Sequence, residues 1–339
     1  MAERKYIADQ AEIRRFLDLL AESGQVVELR ALDVSEPGWK APHVMSGYFN
    51  DMPALAGAAA SLPYAKGTYI TLNPVKPDYL ATACNRVRGA KTGAATSDDG
   101  ILRRRWLCVD LDAVRKPTDI SSTDAEHDHA IAIARRVREE LRQAGWPEPI
   151  LADSGNGGHL LYRIDLPTDD GGLVERVLDA LALRHNSALT VVDQTLFNPS
   201  RVCKLYGTWV HKGDDVPSRP HRMAKVLEWP AELLIVPQEL LEALTATLPA
   251  EPAQPVRTAR QGAYTGEPFD IQSWIDRHVP EAEPGVAWQH KGGSGTRWIL
   301  PACPWNPSHT NRSAYIVQFK SGAIEAGCQH NSCRGNDWH

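Results

Sequence analysis

No stretch of this 339-residue chain approaches the roughly 20 apolar residues a membrane-spanning helix needs. A membrane partner is therefore not expected. Nor is a secretory leader expected: the opening "MAERKYIADQAEIRRFL" is charged, reads as an amphipathic helix, and lacks the apolar core of a signal peptide. The expected location is cytoplasmic. Positive charge is not in excess, because 37 Lys and Arg face 42 Asp and Glu, a formal net charge of -5. That argues weakly against a nucleic-acid binder, since local patches decide binding and acidic metal ligands lower the total. Internal repeats and extended low-complexity tracts are absent. Cysteine is sparse over the first two thirds, where Cys84, Cys108 and Cys203 lie scattered and read as buried small hydrophobes. The other three, Cys303, Cys328 and Cys333, crowd the last stretch. In a cytoplasmic chain such a cluster favours metal over disulfides.

What is present is a mixture of helical and strand patterns from about residue 5 to 240. The spacing predicts helices over 10–22, 50–60, 124–144 and 172–186, and strands over 25–32, 67–72, 105–111, 149–152, 158–164, 190–193 and 223–228. Such a mixture argues for an α/β or α+β domain spanning 1–245. The segment 246–269 is rich in proline and small residues without periodicity, and reads as a linker. A short helix (270–278) and a small module from about 285 follow, within a second region of 270–339. The last cluster cysteine stands six residues from the end, which suggests the front part of a longer polypeptide.

Four constellations carry chemistry. In "RRRWLCVDLD" (103–112) an apolar strand ends on Asp110 and Asp112, which period-two alternation places on one face with Cys108. Paired carboxylates repel and are costly to bury alone, so a cation is expected between them. Mg²⁺ or Mn²⁺ suits oxygen ligands; the plain alternative is a strand end reaching solvent. In "DSGNGGHLLYR" (153–163), glycines separate two strand-like runs, and exposed N–H groups in such turns suit phosphate oxygens. Ser154 and Gly155 stand in the turn, and His159 opens the next strand on the face of Leu161 and Arg163; the alternative is an ordinary glycine hairpin. In "LTVVDQTLFNPSRVCKLYGT" (189–208), Asp193 ends another β-branched run as a third candidate carboxylate. Arg201 and Lys204 follow, three apart on an expected short helical turn, and then Lys212, Arg219, His221 and Arg222. Carboxylates followed by cations are what a triphosphate site needs, although charge runs are usually solvated surface. Last, Cys303-x5-His309 and Cys328-x4-Cys333 flank a β-hairpin. Four such ligands favour tetrahedral zinc, with His330 and His339 as alternatives to His309. Nearby Trp305, Tyr315, Phe319 and Trp338 serve either as the module's core or as faces for stacking bases.

The three N-terminal motifs, "VDLD", "SGNGGH" and "VVD", stand in an order and spacing that resembles the archaeo-eukaryotic primase superfamily, the primase-polymerases. The basic "PSRVCKLYGT", "GYFND" (47–51) and "YITLNPV" (69–75) are similar to the phage, plasmid and mobile-element subgroup. The likeness covers about residues 25–230. The tail "GCQHNSCRG" resembles the zinc-binding module of many primases, with wider ligand spacing. The resemblance implies an RRM-like catalytic core with an additional small α/β unit. It implies that Asp110, Asp112 and Asp193 are catalytic and hold two Mg²⁺ or Mn²⁺ ions, while Cys303, His309, Cys328 and Cys333 hold Zn²⁺. Ser154, Gly155, His159, Arg201, Lys204 and Lys212 would bind the nucleoside triphosphate. A single-stranded DNA template is implied, on a surface for which Arg86, Arg88, Lys91, Arg103, Arg104 and Arg105 are candidates. A replicative helicase, in cis or in trans, is a further implied partner.

The expected activity is primer synthesis and extension by nucleotidyl transfer. A metal-dependent nuclease using the same acids is one alternative, but it needs no triphosphate cradle. A non-catalytic replication initiator binding DNA through the zinc module is another; the intact acids and histidine argue against it. A glycosyltransferase also uses Asp-x-Asp, but fits the third aspartate and the basic run poorly.

Overall fold

The computed structural model describes residues 6–36, 38–90, 95–248, 269–290, 293–306, 310, 314–320, 322–328 and 333. The chain divides into two compact units, Met1–Pro252 and Ala253–His339. In the first, α1 (Gln10–Leu20) is followed by β1 (Val27–Val34), β2 (His43–Phe49), α2 (Met52–Ser61), β3 (Gly67–Thr71) and β4 (Arg88–Gly89). Then come β5 (Arg104–Ala113), α3 (Asp124–Gln143), β6 (Ile150–Asp153), β7 (Gly157–Leu166), α4 (Leu173–His185) and β8 (Thr190–Val192). The unit closes with β9 (Val202–Lys204), β10 (Trp209–Val210), β11 (Arg222–Met223), β12 (Lys225–Glu228) and α5 (Gln238–Thr245).

Two five-stranded sheets result, in the orders β4-β2-β1-β3-β9 and β12-β6-β7-β5-β8. Within the second, β5-α3-β6-β7-α4-β8 is a split βαβ arrangement with β5 and β7 antiparallel at its centre. This is the RRM-like core that the resemblance implies, with the first sheet and its helices as the additional unit. The α/β class holds.

Alternation along β5 decides what each sheet face does. Leu107, Val109 and Leu111 enter one core with α3 and α4, joined by Leu160, Tyr162 and Ile164 of β7. Trp106 and Cys108 point the other way, into a core shared with Val27, Leu29, Phe49 and Ile70 of the first sheet and with α1 and α2. Asp110 and Asp112 continue this second face, where a cleft opens between β5, β7, β3 and β9. The entry to α3 is fixed by a capping box of Thr123 and Glu126. Arg219 braces that helix end, donating to Glu126 at 2.9 and 3.1 Å, and Arg222 does so through Asp124 at 2.5 Å.

The second unit holds α6 (Ile271–His278) and a four-stranded antiparallel sheet of β13 (Val286–His290), β14 (Gly293–Ile299), β15 (Ala314–Phe319) and β16 (Ile324–Cys328), in that order. Its core joins Ile271 and Ile275 to Trp298, Leu300, Ile316 and the sulfurs of Cys303 and Cys333. Trp305 packs against it and so has a core role. Among the described residues, no helix is long and apolar enough to cross a membrane.

Candidate active site

The strands bring most of the expected residues to one place. A cleft of about 190 Å³ is lined by Asp110, Asp112 and Asp193, by Ser154, Asn156 and His159, and by Tyr69, Lys204 and Lys212. The register explains the acids. Asp110 and Asp112 of β5 stand opposite His159 and Gly157 of β7. β8 pairs with the other edge of β5, and the Asp193 N–H donates to the Asp110 carbonyl at 2.9 Å.

The electrostatics of the two strand acids diverge. Burial pushes the Asp110 carboxyl up, but His159, Lys212 and Lys204 outweigh it and hold it below the usual carboxylate range. Asp112 lies above that range, through burial and then the charge of Asp110, against the pull of Lys212 and Arg115. Asp110 Oδ2 faces His159 Nε2 at 3.2 Å. Asp110 Oδ1 is buried and has no hydrogen-bond partner. An unpartnered buried carboxylate oxygen beside a second carboxylate fits a hard cation such as Mg²⁺ or Mn²⁺. Asp193 completes the oxygen set, although its Oδ1 also accepts from the Thr195 N–H and hydroxyl at 2.8 and 2.7 Å.

The opposite wall is cationic. Lys204 is buried; its Nζ donates to the Tyr69 hydroxyl at 2.8 Å and lies 4.0 Å from that ring's centroid. Burial pulls the amine down to about 8, with Asp110 and Asp112 working against the fall. His159 is only 3 % exposed. Burial opposes its charge, but the Asp110 carboxylate and Cys203 hold its proton, so it titrates well above the usual histidine range. Behind it, Nδ1 meets the Tyr206 hydroxyl at 2.8 Å and Cys203 Sγ at 3.5 Å.

Other expected residues lie elsewhere or are already engaged. Lys204 ends strand β9 and Arg201 stands just before that strand, in place of the expected helical turn. Lys204 enters the cleft, whereas Arg201 donates Nε and Nη2 to the Thr195 carbonyl at 3.0 and 2.6 Å. Gly155 does not line the cleft; its N–H donates to Asp153 Oδ1 at 2.6 Å, with φ +89°. Ser154 lines it, but its hydroxyl donates to the Gly157 carbonyl at 3.2 Å. Of the later basic run only Lys212 reaches the cleft. The template candidates Arg103, Arg104 and Arg105 pair with Asp165, Asp170 and Glu22, and Arg104 is buried. Lys91 lies outside the described residues. Cys84 is exposed, not buried.

Sequence reasoning missed Asn156, Tyr69 and Arg115. Asn156 stands inside the glycine turn, where its Oδ1 accepts from the Ser122 N–H at 2.8 Å. Arg115 reaches Asp112 at 3.5 Å. The i,i+3 spacing from Asp112 was the available signal.

In the second unit, Cys303, Cys328 and Cys333 present sulfurs within 4.8 Å of one another, and Cys303 and Cys333 are 3.6 Å apart. Three converging thiols fit a zinc ion. His309, like His330 and His339, lies outside the described residues.

A scan of protein-family models finds no match, and a search of curated proteins finds none. Among solved structures, the AEP domain of the cyanophage S-2L primase-polymerase aligns with a TM-score of 0.41 at 15% identity, covering 70% of this chain and 99% of that one.

Proposed function

We propose that the first unit is a primase-polymerase, joining nucleotides on a single-stranded DNA template. One observation carries this reading: three aspartates converge on a cleft whose other wall holds Lys204, Lys212 and His159. Carboxylates alone would serve a nuclease. Carboxylates facing cations suit a nucleoside triphosphate, whose reacting end needs metal and whose far phosphates need positive charge.

Asp110, Asp112 and Asp193 would hold two Mg²⁺ or Mn²⁺ ions. When bound, those ions supply an activated 3′-hydroxyl and a neutralised pyrophosphate leaving group. Lys204, pinned by Tyr69, and Lys212 take the triphosphate oxygens. Ser154 and His159 form the wall between, and His159 fixes the orientation of Asp110. The thiol cluster of the second unit would hold zinc, with His309 as the candidate fourth ligand. That unit supplies the 5′ nucleotide or template contact that starting a new strand requires.

The test is incubation of the full chain with single-stranded DNA, labelled nucleotides and Mn²⁺ or Mg²⁺, with and without a primer, beside the Asp110→Ala/Asp112→Ala variant. New or extended strands that vanish in the variant are expected. A protein that neither primes nor extends, or that only shortens the template, overturns the reading.

A further inference from the structure

We propose that Cys108, His159 and Cys203 form a zinc site on the floor of the cleft, distinct from the oxygen-ligand site of the three aspartates. The residues come from β5, β7 and β9, so the site joins the two sheets. All three are buried, and their ligand atoms lie within 4.8 Å of one another. The two sulfurs are 4.0 Å apart, and Cys203 Sγ is 3.5 Å from His159 Nδ1. Tetrahedral zinc, with bonds of about 2.3 Å to sulfur and about 2.0 Å to nitrogen, separates such ligands by roughly 3.5–3.8 Å. The Cys203–His159 spacing of 3.5 Å falls in that range, and the sulfur–sulfur spacing of 4.0 Å lies just beyond it. They do not fit a disulfide, which needs sulfurs at about 2.05 Å.

The surroundings fit as well. His159 Nε2 faces Asp110 Oδ2 at 3.2 Å. Zinc binding requires the ring neutral, with its one proton on Nε2, which frees the Nδ1 lone pair on the side of Cys203 and Tyr206. A metal-bound histidine whose other nitrogen donates to a carboxylate is the usual supporting arrangement at zinc. An entry path exists, because all three residues line the cleft. The Tyr206 hydroxyl lies 2.8 Å from Nδ1 and 3.8 Å from Cys203 Sγ, so the fourth position falls to it or to cleft water. Two thiolates and an imidazole select zinc, whereas the aspartates select Mg²⁺ or Mn²⁺, so the two sites do not compete. Zinc here would hold His159, and through it Asp110, in place. The proposal does not rest on the polymerase reading.

The experiment measures zinc content of the full chain after mild chelation, and the absorption of Co²⁺ substituted for it. The Cys108→Ser/Cys203→Ser variant is expected to lose one equivalent of metal relative to the parent chain. The Cys303→Ser/Cys333→Ser chain is expected to keep that equivalent, with thiolate-to-cobalt charge transfer and tetrahedral visible bands. This second chain keeps the test sound even where the first variant fails to fold. Its failure to take up thiolate-bound cobalt overturns the proposal. So does a Cys108→Ser/Cys203→Ser protein that retains the full metal content, or a metal-free Cys108–Cys203 disulfide seen by non-reducing mass spectrometry.

Discussion

Glu28 shows how much one buried carboxylate can require of its neighbours. It has no exposed surface, and it accepts from Arg30 at 3.0 and 2.6 Å, Ser46 at 2.7 Å, and the Thr96 N–H and hydroxyl at 3.1 and 2.6 Å. Burial pushes its carboxyl up, but Arg30 and the two hydroxyls reverse this and leave it below the usual range. Glu28→Ala strands the Arg30 charge and should cost about 3–5 kcal/mol, read as a lower urea midpoint at unchanged slope. Because the folded value is depressed, the stabilisation is present above the ordinary glutamate value of about 4.3 and fades as pH falls through the folded value. The stability gap to Glu28→Ala should therefore narrow in acid; a gap that is constant with pH would refute the ionised network. Lys204→Met tests the cleft at the same scale. Methionine fills the space without the charge, so the fold should persist while nucleotide KM rises about tenfold or more, the worth of a charge-assisted hydrogen bond. An unchanged KM removes Lys204 from the triphosphate site. The aspartates were legible because strand periodicity alone puts Asp110 and Asp112 on one face. Arg201 and Gly155 were not, because their backbone conformation decides where they point, and charge and glycine content do not encode it.

At the scale of elements, the cleft depends on how closely β7 approaches β5. Gly157 stands opposite Asp112, and a Cβ there would overlap the Leu111 carbonyl oxygen. Gly157→Ala must push the strands apart beside the acids, at a cost of about 1–3 kcal/mol and with loss of nucleotide incorporation. Gly89→Ala, at a position with nothing within 4 Å, is the control and should match the parent in both. Equal melting and activity for Gly157→Ala would show that the acids do not need this approach. The same elements show what pattern can reveal. β5 and β7 were readable from length and alternation, and α3 from its apolar spacing. β2 and β9 were not anticipated. The first half of β2 is exposed, and Gly47 within it faces the Arg86 carbonyl, so no alternation appears. β9 has three residues, and its membership depends on pairing with β3, a partner more than a hundred positions earlier. Such pairing is tertiary information, which local propensity does not hold.

For the whole molecule, the division into two units sets where the chain can be cut. The division falls after Pro252, inside the stretch read as a linker, and α6, read from the sequence as part of the second region, puts Ile271 and Ile275 into the core of the second unit. A cut at 285 would leave that helix with its apolar face uncovered. A cut after Pro252 keeps the two largest cores of the first unit whole, together with every residue of the aspartate cleft. Residues 1–252 should therefore unfold in one cooperative urea transition and still extend a supplied primer. Starting a strand is a different demand, since two nucleotides must be held at once with no duplex to position the first. If the second unit meets that demand, 1–252 loses priming while extension stays near the full-chain rate. Chelating the Cys303–Cys328–Cys333 cluster in the full chain should then reproduce the loss of priming. Priming by 1–252 at the full-chain rate would assign initiation to the first unit alone. Loss of extension with an intact fold would mean that the second unit serves every round of synthesis.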